Sequence, residues 1–142
     1  DMIQYIDSSI FVVKNYDPSQ EYQILIAVDD SPGTRKAIKY GVRVAQAFGI
    51  GVNLLTVSKQ DHFGEGYKGA ADRAAKFIQR SGIEAKNVFK VGDPAKTIVD
   101  TAGDNHIIIM GASTRSPIKK FFTGSKPLDV MEKCRCPILI VK

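Results

Sequence analysis

Five short apolar runs are separated by segments whose apolar residues recur at helical spacing, and this alternation dictates the fold class. Residues 22–29 (YQILIAVD) form a continuous apolar run closed by Asp, as a strand buried on both faces requires. Asp30-Ser31-Pro32-Gly33 follow as a turn, with a capping side chain and a Pro suited to a first helical turn. Over residues 34–48, Ala37, Ile38, Gly41, Val42, Ala45 and Phe48 share one helical face, and Gly49 stops the pattern. Residues 51–58 (GVNLLTVS) predict a second strand, 59–66 a polar loop, and 67–80 a helix turning Ala70, Ala71, Ala74, Phe77 and Ile78 inward. Residues 83–91 predict a third strand, with Ala85, Asn87, Phe89 and Val91 alternating inward. Gly92-Asp93-Pro94 opens a helix to about Gly103 that buries Ala95, Ile98, Val99 and Ala102. Residues 106–110 form a fourth strand, 111–123 a long loop, 125–134 a helix and 137–142 a fifth strand. The order β-α-β-α-β-α-β-α-β demands a parallel sheet with helices on both faces, because each crossover is right-handed.

The 142 residues suffice for one such core and not for two. Hydrophobic residues at 44% and charged residues at 25% are the mix of an ordinary globular domain, which sets aside disorder and membrane classes. No apolar run approaches the length that spans a bilayer, and no segment has the layout of a signal peptide, so the expected location is the cytoplasm. The net charge of +5 is spread along the chain. Its one concentration is Arg35, Lys36, Lys39 and Arg43, on one face of the first predicted helix, opposite its apolar stripe. No finger-like Cys/His spacing or RNA-binding aromatic motif accompanies it, so nucleic acid is not the expected partner. Cys134 and Cys136 stand too close in sequence to bridge each other and lack the further ligands of a zinc site. They are expected to be reduced, with Cys136 packed where a helix meets a strand. His62 and His106 have no companion cluster, so no metal site is expected.

Residues 1–21 stand outside the alternation. Residues 1–14 (DMIQYIDSSIFVVK) can be laid over 129–142 (DVMEKCRCPILIVK). Asp1/Asp129, Ile10/Ile138, Val13/Val141 and Lys14/Lys142 are then identical, while Phe11/Leu139 and Val12/Ile140 are conservative. Residues 1–14 therefore read as the last helix and strand of a preceding, similar domain. Residues 15–21 (NYDPSQE) read as a polar linker, and 22–142 as the domain proper.

In open parallel sheets, ligands bind beyond the carboxyl ends of the strands, where the strand order reverses. Those ends here are Asp29-Asp30-Ser31, Val57-Ser58, Val91-Gly92-Asp93 and the segment from Gly111. The most informative stretch is 111–125 (GASTRSPIKKFFTGS). Gly after a strand allows close approach. Gly124-Ser125 sits at a predicted helix N-terminus, where free N–H groups and the dipole attract phosphate. Arg115, Lys119 and Lys120 add positive charge in the loop between. Taken alone, the same Ser125 would also serve as an ordinary helix cap.

Residues 22–142 resemble the universal stress protein family. That family's nucleotide signature is Gly-x2-Gly-x9-Gly-(Ser/Thr), and this chain has Gly111-x2-Thr114-x9-Gly124-Ser125. Also similar are Val28-Asp29-Asp30-Ser31-Pro32, Gly92-Asp93-Pro94, Ile109-Met110-Gly111 and the final C-P-I-L-I-V from Cys136 to Val141. The resemblance implies a Rossmann-like, adenine nucleotide alpha hydrolase-like α/β fold. Its five-stranded parallel sheet would run in the order 3-2-1-4-5, with helices on both faces. It implies ATP or AMP as ligand, with or without Mg²⁺. Asp29 would contact the adenosine portion, the Val57 backbone would meet adenine, and Gly111, Gly124 and Ser125 would hold ribose and phosphates. Ala27, Met110, Thr114, Arg115 and Lys126 would line the site. One position departs from the signature: Thr114 replaces a Gly, and a β-branched side chain fits poorly if that position needs positive φ or close approach.

The expected function is therefore a regulatory module that binds an adenine nucleotide, with at most slow ATP hydrolysis. No activated nucleophile and no paired catalytic carboxylates are visible in the sequence. The S-G-G-x-D-S loop of nucleotide-activating enzymes is replaced by Asp29-Asp30-Ser31-Pro32-Gly33. The competing expectation is an interaction scaffold without nucleotide, which Thr114 favours. In both, the last strand is an edge available to a homodimer partner or a sister domain.

Overall fold

The computed structural model describes residues 2–6, 9–13, 15–28, 32–58, 65–111, 130 and 132–141. The chain order is β1 (Met2–Ile6), β2 (Ser9–Val13), β3 (Gln23–Ala27), α1 (Pro32–Phe48), β4 (Val52–Ser58), α2 (Glu65–Arg80), β5 (Ala85–Val91), α3 (Pro94–Ala102), β6 (His106–Gly111) and β7 (Ile138–Val141). All seven strands join one sheet in the order β1-β2-β7-β6-β3-β4-β5. Counting only β3 to β7 as strands one to five, the order is 3-2-1-4-5, as expected, and every neighbouring pair among them is parallel.

Residue alternation in the strands sorts the core into two layers. Ile24, Ile26, Leu54, Ile107 and Ile109 point to the face covered by α1 and α2, where they meet Ala37, Val42, Ala45, Ala74 and Ile78. Leu25, Leu55, Ile108, Met110, Ile138 and Ile140 point to the other face. There they pack with Ala95, Ile98 and Ala102 of α3 and with Val130 and Cys134. Both faces of the central strands are thus dry, which is why their sequences are unbroken apolar runs. On α1, Ala37, Ile38, Val42 and Ala45 are buried and Arg35, Lys36, Lys39 and Arg43 exposed, as expected, but Phe48 in the last turn is 51% exposed and leaves the apolar face. Gly41 faces β3 so closely that an added Cβ would lie 2.5 Å from Ile26 Cδ1. α3 starts at Pro94 behind Asp93, whose carboxylate accepts from the Lys96 N–H at 3.0 Å.

Further expectations need correction or restriction. On α2, Phe77 is 43% exposed and not inward, while Ala71, Ala74 and Ile78 are buried. Residues 1–14 are not a helix and a strand: Met2–Ile6 and Ser9–Val13 form an antiparallel pair. β2 then pairs antiparallel with β7, so the outer edge of β7 is occupied within this chain. Met2–Ile6 (MIQYI) is rich in β-branched and aromatic residues and gains ladder partners there, which a lone short helix would lack. In β5, Phe89 is 39% and Val91 48% exposed, not inward. β5 is the other edge of the sheet, with a strand neighbour on one side only. Of the helix expected over 125–134, residues 130, 132 and 133 are helical and the remainder lies outside the described residues.

The linker is pinned to the domain. Tyr22 and Tyr16 stack at 5.5 Å, and the Asp17 N–H donates to the Tyr22 hydroxyl at 2.9 Å. Gln20 Nε2 donates to the Asp104 carbonyl at 2.9 Å. At the same end of the sheet, His106 Nδ1 lies 2.9 Å from the Ala102 carbonyl and 2.8 Å from Asn105 Oδ1. Both partners are acceptors, so Nδ1 carries the proton and Nε2 accepts from Asn53 Nδ2 at 3.2 Å. His106 is therefore a satisfied structural residue.

Cys134 and Cys136 are buried and unbridged, as expected. The Cys134 thiol donates to the Cys136 carbonyl at 3.4 Å. The neighbouring Cys134 side chain and then burial push the Cys136 thiol far above its ordinary range. Alkylation of both thiols at mildly alkaline pH should follow global unfolding, its rate rising with denaturant and, through the thiolate fraction of the unfolded chain, with pH. Rapid labelling of the native protein would contradict this packing. Replacing Ile109→Ala should cost about 2–5 kcal/mol in urea melts, Asp93→Ala about 1 kcal/mol, and Val91→Ala within about 0.5 kcal/mol.

Candidate functional site

The chain leaves β3 towards β4 on one side, while β6 lies on the other, so the strand order reverses at β3. This is the position at which open parallel sheets bind ligands. Its local geometry follows from the ladder. The Val28 N–H donates to the Leu55 carbonyl at 2.8 Å, so the backbone groups of Leu55 face β3. Strand groups two residues apart face the same way, so those of Val57 also face the β3 side. The last β3–β4 pair is Ala27↔Leu55, which leaves Val57 beyond it.

The other flank is built in the same way. The Gln23 N–H donates to the Asn105 carbonyl and the Ile108 N–H to the Pro137 carbonyl. Even-numbered residues of β6 therefore face β7, and odd-numbered ones, Gly111 included, face β3. The last β3–β6 pair is Ile26↔Ile109. Val57 from one neighbour and Gly111 from the other thus turn backbone polar groups towards the carboxyl end of β3. Ala27, Val57 and Met110 lie on one face of the sheet, the α3 face. Ala27 and Val57 are half-buried and Met110 is buried, so this face offers an apolar surface at the strand ends.

Gly111 has a second role. A Cβ there would lie 2.9 Å from Gly33 Cα and would collide with the Gly33 carbonyl. The first turn of α1 is therefore seated directly against the end of β6. Sequence reasoning placed Gly33 in a turn and missed this contact. Its only signal was a Gly in the first turn of a helix, where propensity disfavours it. At the third strand end, the Gly92 N–H donates to the Ser58 carbonyl at 2.8 Å, with Gly92 at φ 154°. A Cβ on Gly92 would sit 2.7 Å from Thr97 Oγ1, so the turn into α3 requires Gly.

The structure brings together Ala27, Val57, Met110 and Gly111 as the sequence reading grouped them. Asp29, Thr114, Arg115, Gly124, Ser125 and Lys126 lie outside the described residues. No group of three or more His, Cys, Asp or Glu suited to a metal occurs among the described residues. No helix among them is long and apolar enough to cross a membrane. A groove of about 680 Å³ lined by Tyr16, Gln20, Tyr22, Phe48 and Asn105 lies at the opposite, amino end of the strands, away from this site.

Comparison with known proteins places this geometry in context. Universal stress protein YxiE of Bacillus subtilis is 25% identical, over 84% of this chain and 98% of its own length. A universal stress protein from Archaeoglobus fulgidus, solved in complex with dAMP, superposes with a TM-score of 0.66 at 21% identity. It covers 85% of this chain and 98% of its own. Another universal stress protein structure, from Archaeoglobus fulgidus DSM 4304, has a TM-score of 0.73 at 21% identity. It matches 94% of this chain, which spans only 49% of it. The model of the universal stress protein family matches residues 22–142, which begin just before β3 and end with β7. With a parallel sheet of the same strand order and a family match over that whole unit, the chain belongs to the universal stress protein family.

Proposed function

We propose that this domain binds an adenine nucleotide, ATP or AMP, and acts as a regulatory module with little or no turnover. The observation that carries the reading is the pair of inward-facing backbones, Val57 and Gly111, at the carboxyl end of β3. A purine has donors and acceptors along its edge and a flat apolar face. Backbone groups of Val57 can meet the edge, while the apolar surface of Ala27, Val57 and Met110 meets the face. The described residues thus fit the base end of the ligand. A neighbour of the same fold solved with dAMP supports the ligand class.

For the phosphate end the proposal rests on the signature. Gly124 and Ser125 would supply helix-terminal N–H groups and a hydroxyl, Arg115 and Lys126 positive charge, and Asp29 the ribose contact. Thr114 would border the ribose. Mg²⁺, where present, would be held by the phosphates, with Asp29, Asp30 and Asp93 as carboxylates at the same strand ends. Bound nucleotide would act by changing the conformation or the partner surface of the domain. The expected location of such a module is the cytoplasm.

Calorimetric titration with ATP should give micromolar binding, and acid-denatured protein should release co-purified nucleotide. Val57→Pro provides the sharper check. The Val57 N–H faces β3 and not β5, so Pro there spares the β4–β5 ladder. This variant should remain folded and lose binding at least tenfold, whereas Val57→Ile should bind within about threefold. A folded Val57→Pro protein with unchanged affinity would remove Val57 from the site. Absence of both binding and carried-over nucleotide in the wild type would overturn the whole reading in favour of a scaffold.

A further inference from the structure

We propose that the outer face of α1 and α2 is a docking surface for an anionic membrane, held by charge and not by insertion. The inference stands apart from nucleotide binding and rests on where the fold gathers the chain's charge. α1 and α2 lie side by side on one face of the sheet, over Ile24, Ile26, Leu54 and Ile109. Each connects two parallel strands by a crossover of the same hand, so the two helices run parallel to each other. α1 exposes Arg35, Lys36, Lys39 and Arg43 and has no acidic residue along its length. α2 exposes Lys68, Arg73, Lys76 and Arg80, with Asp72 as the one exposed carboxylate among its described side chains. The other face is balanced. Over residues 93–104 and 132–135, the exposed cations Lys96, Lys133 and Arg135 stand among four exposed carboxylates. Charge that is dispersed along the sequence is thus segregated in the fold.

The layout suits a flat surface. Arg35, Lys39 and Arg43 recur every fourth residue, so they form a row spaced by about 6 Å along α1. Arg73, Lys76 and Arg80 form a second row on α2, opposite the buried Ala71, Ala74, Ala75 and Ile78. The helices are each about 25 Å long, and packed neighbours stand about 10 Å apart. The cations are therefore spread in two dimensions. A single nucleic-acid strand would follow one row, whereas a lipid leaflet meets both. Neighbouring cations lie within about one Debye length, so their fields add at the surface.

Exposed aromatic rings accompany the charge. Phe48 and Phe77 stand in the last turns of α1 and α2, 51% and 43% exposed. Because the helices are parallel, both rings lie at the same end of the basic face. Phenylalanine beside lysine and arginine is the composition of helices that rest in a membrane interface. The Arg43 guanidinium also stands over the Tyr40 ring, 5.9 Å from its centroid, which steadies one of the cations. The complement of this face is a planar array of negative headgroups with an apolar layer just below. An anionic leaflet supplies both, and each Lys or Arg brought near it adds to the attraction.

The test is co-sedimentation of the full chain with sucrose-loaded vesicles. Wild type should bind phosphatidylcholine vesicles containing about 30% phosphatidylserine in about 0.1 M salt. It should leave them in about 0.5 M salt and ignore pure phosphatidylcholine. The triple variant Arg35→Gln, Lys39→Gln, Arg43→Gln should lose about a hundredfold in partition coefficient. The triple variant Lys96→Gln, Lys133→Gln, Arg135→Gln removes the same charge from the other face and should stay within about threefold of wild type. Equal losses in the two would reduce the effect to net charge and overturn the proposal. So would equal binding to neutral vesicles, or no binding by the wild type. Preference for single-stranded RNA over the vesicles at equal phosphate concentration would overturn it in favour of nucleic acid. Should the α1 variant not fold, Lys76→Gln with Arg80→Gln on α2 replaces it, with a loss of about thirtyfold expected and an unchanged affinity refuting the face.

Discussion

β3 is hydrogen-bonded along both edges, to β6 through Gln23↔His106 to Ile26↔Ile109 and to β4 through Ile24↔Val52 to Ala27↔Leu55. Its central residues Ile24, Leu25 and Ile26 have no exposed surface. A strand with partners on two edges and helices on two faces has no freedom left to slide or rotate. The positions of α1, β4 and β6 are set against it, and so is the site. When β3 ends at Ala27, its two neighbours continue, and their backbone groups are left facing the same space. The geometry of the candidate site is a by-product of strand lengths: two neighbours that overrun a shorter central strand.

The fold was legible because burial on both sides leaves a plain mark in the sequence. Runs such as 24–28 and 107–110 can be little else than central strands of a parallel sheet, and the intervening helical periods then dictate the crossovers. Helix α3 was legible to its cap, because Asp93-Pro94 and Gly103 are chemical signals for its ends. β5 was misread because alternation alone does not say whether a strand lies at an edge: Phe89 and Val91 keep the pattern and still meet water. The amino-terminal segment was misread for a different reason. Its likeness to residues 129–134 implied helix, whereas an available sheet edge draws β-branched sequence into a strand.

Of the candidate site, Val57 and Gly111 follow from strand ends and could be read directly, whereas Ala27 and Met110 entered through resemblance. The four come together because they stand at the carboxyl ends of three adjacent strands. The Gly33–Gly111 contact was not readable, because it depends on how deeply a helix start seats against a neighbouring strand. That depth is set by the missing Cβ atoms on both partners, and a single sequence offers no pattern for it. The motif residues from Thr114 to Lys126 lie outside the described residues, and their reading rests on the resemblance and on the local signal of Gly124-Ser125.

The two borders of the five-stranded parallel part of the sheet differ in kind. At one, β2 satisfies the backbone of β7. At the other, among the described residues, β5 pairs only with β4. Lys86 and Lys90 are exposed along that strand, at positions between the half-buried or exposed Ala85, Asn87, Phe89 and Val91. A strand from another molecule that docked there would meet two ammonium groups on one face. The lysines therefore act as gatekeepers against templated growth at a border that carries exposed apolar surface at Phe89 and Val91. The parallel part of the sheet is guarded at its two ends by opposite means, saturation at one and charge at the other.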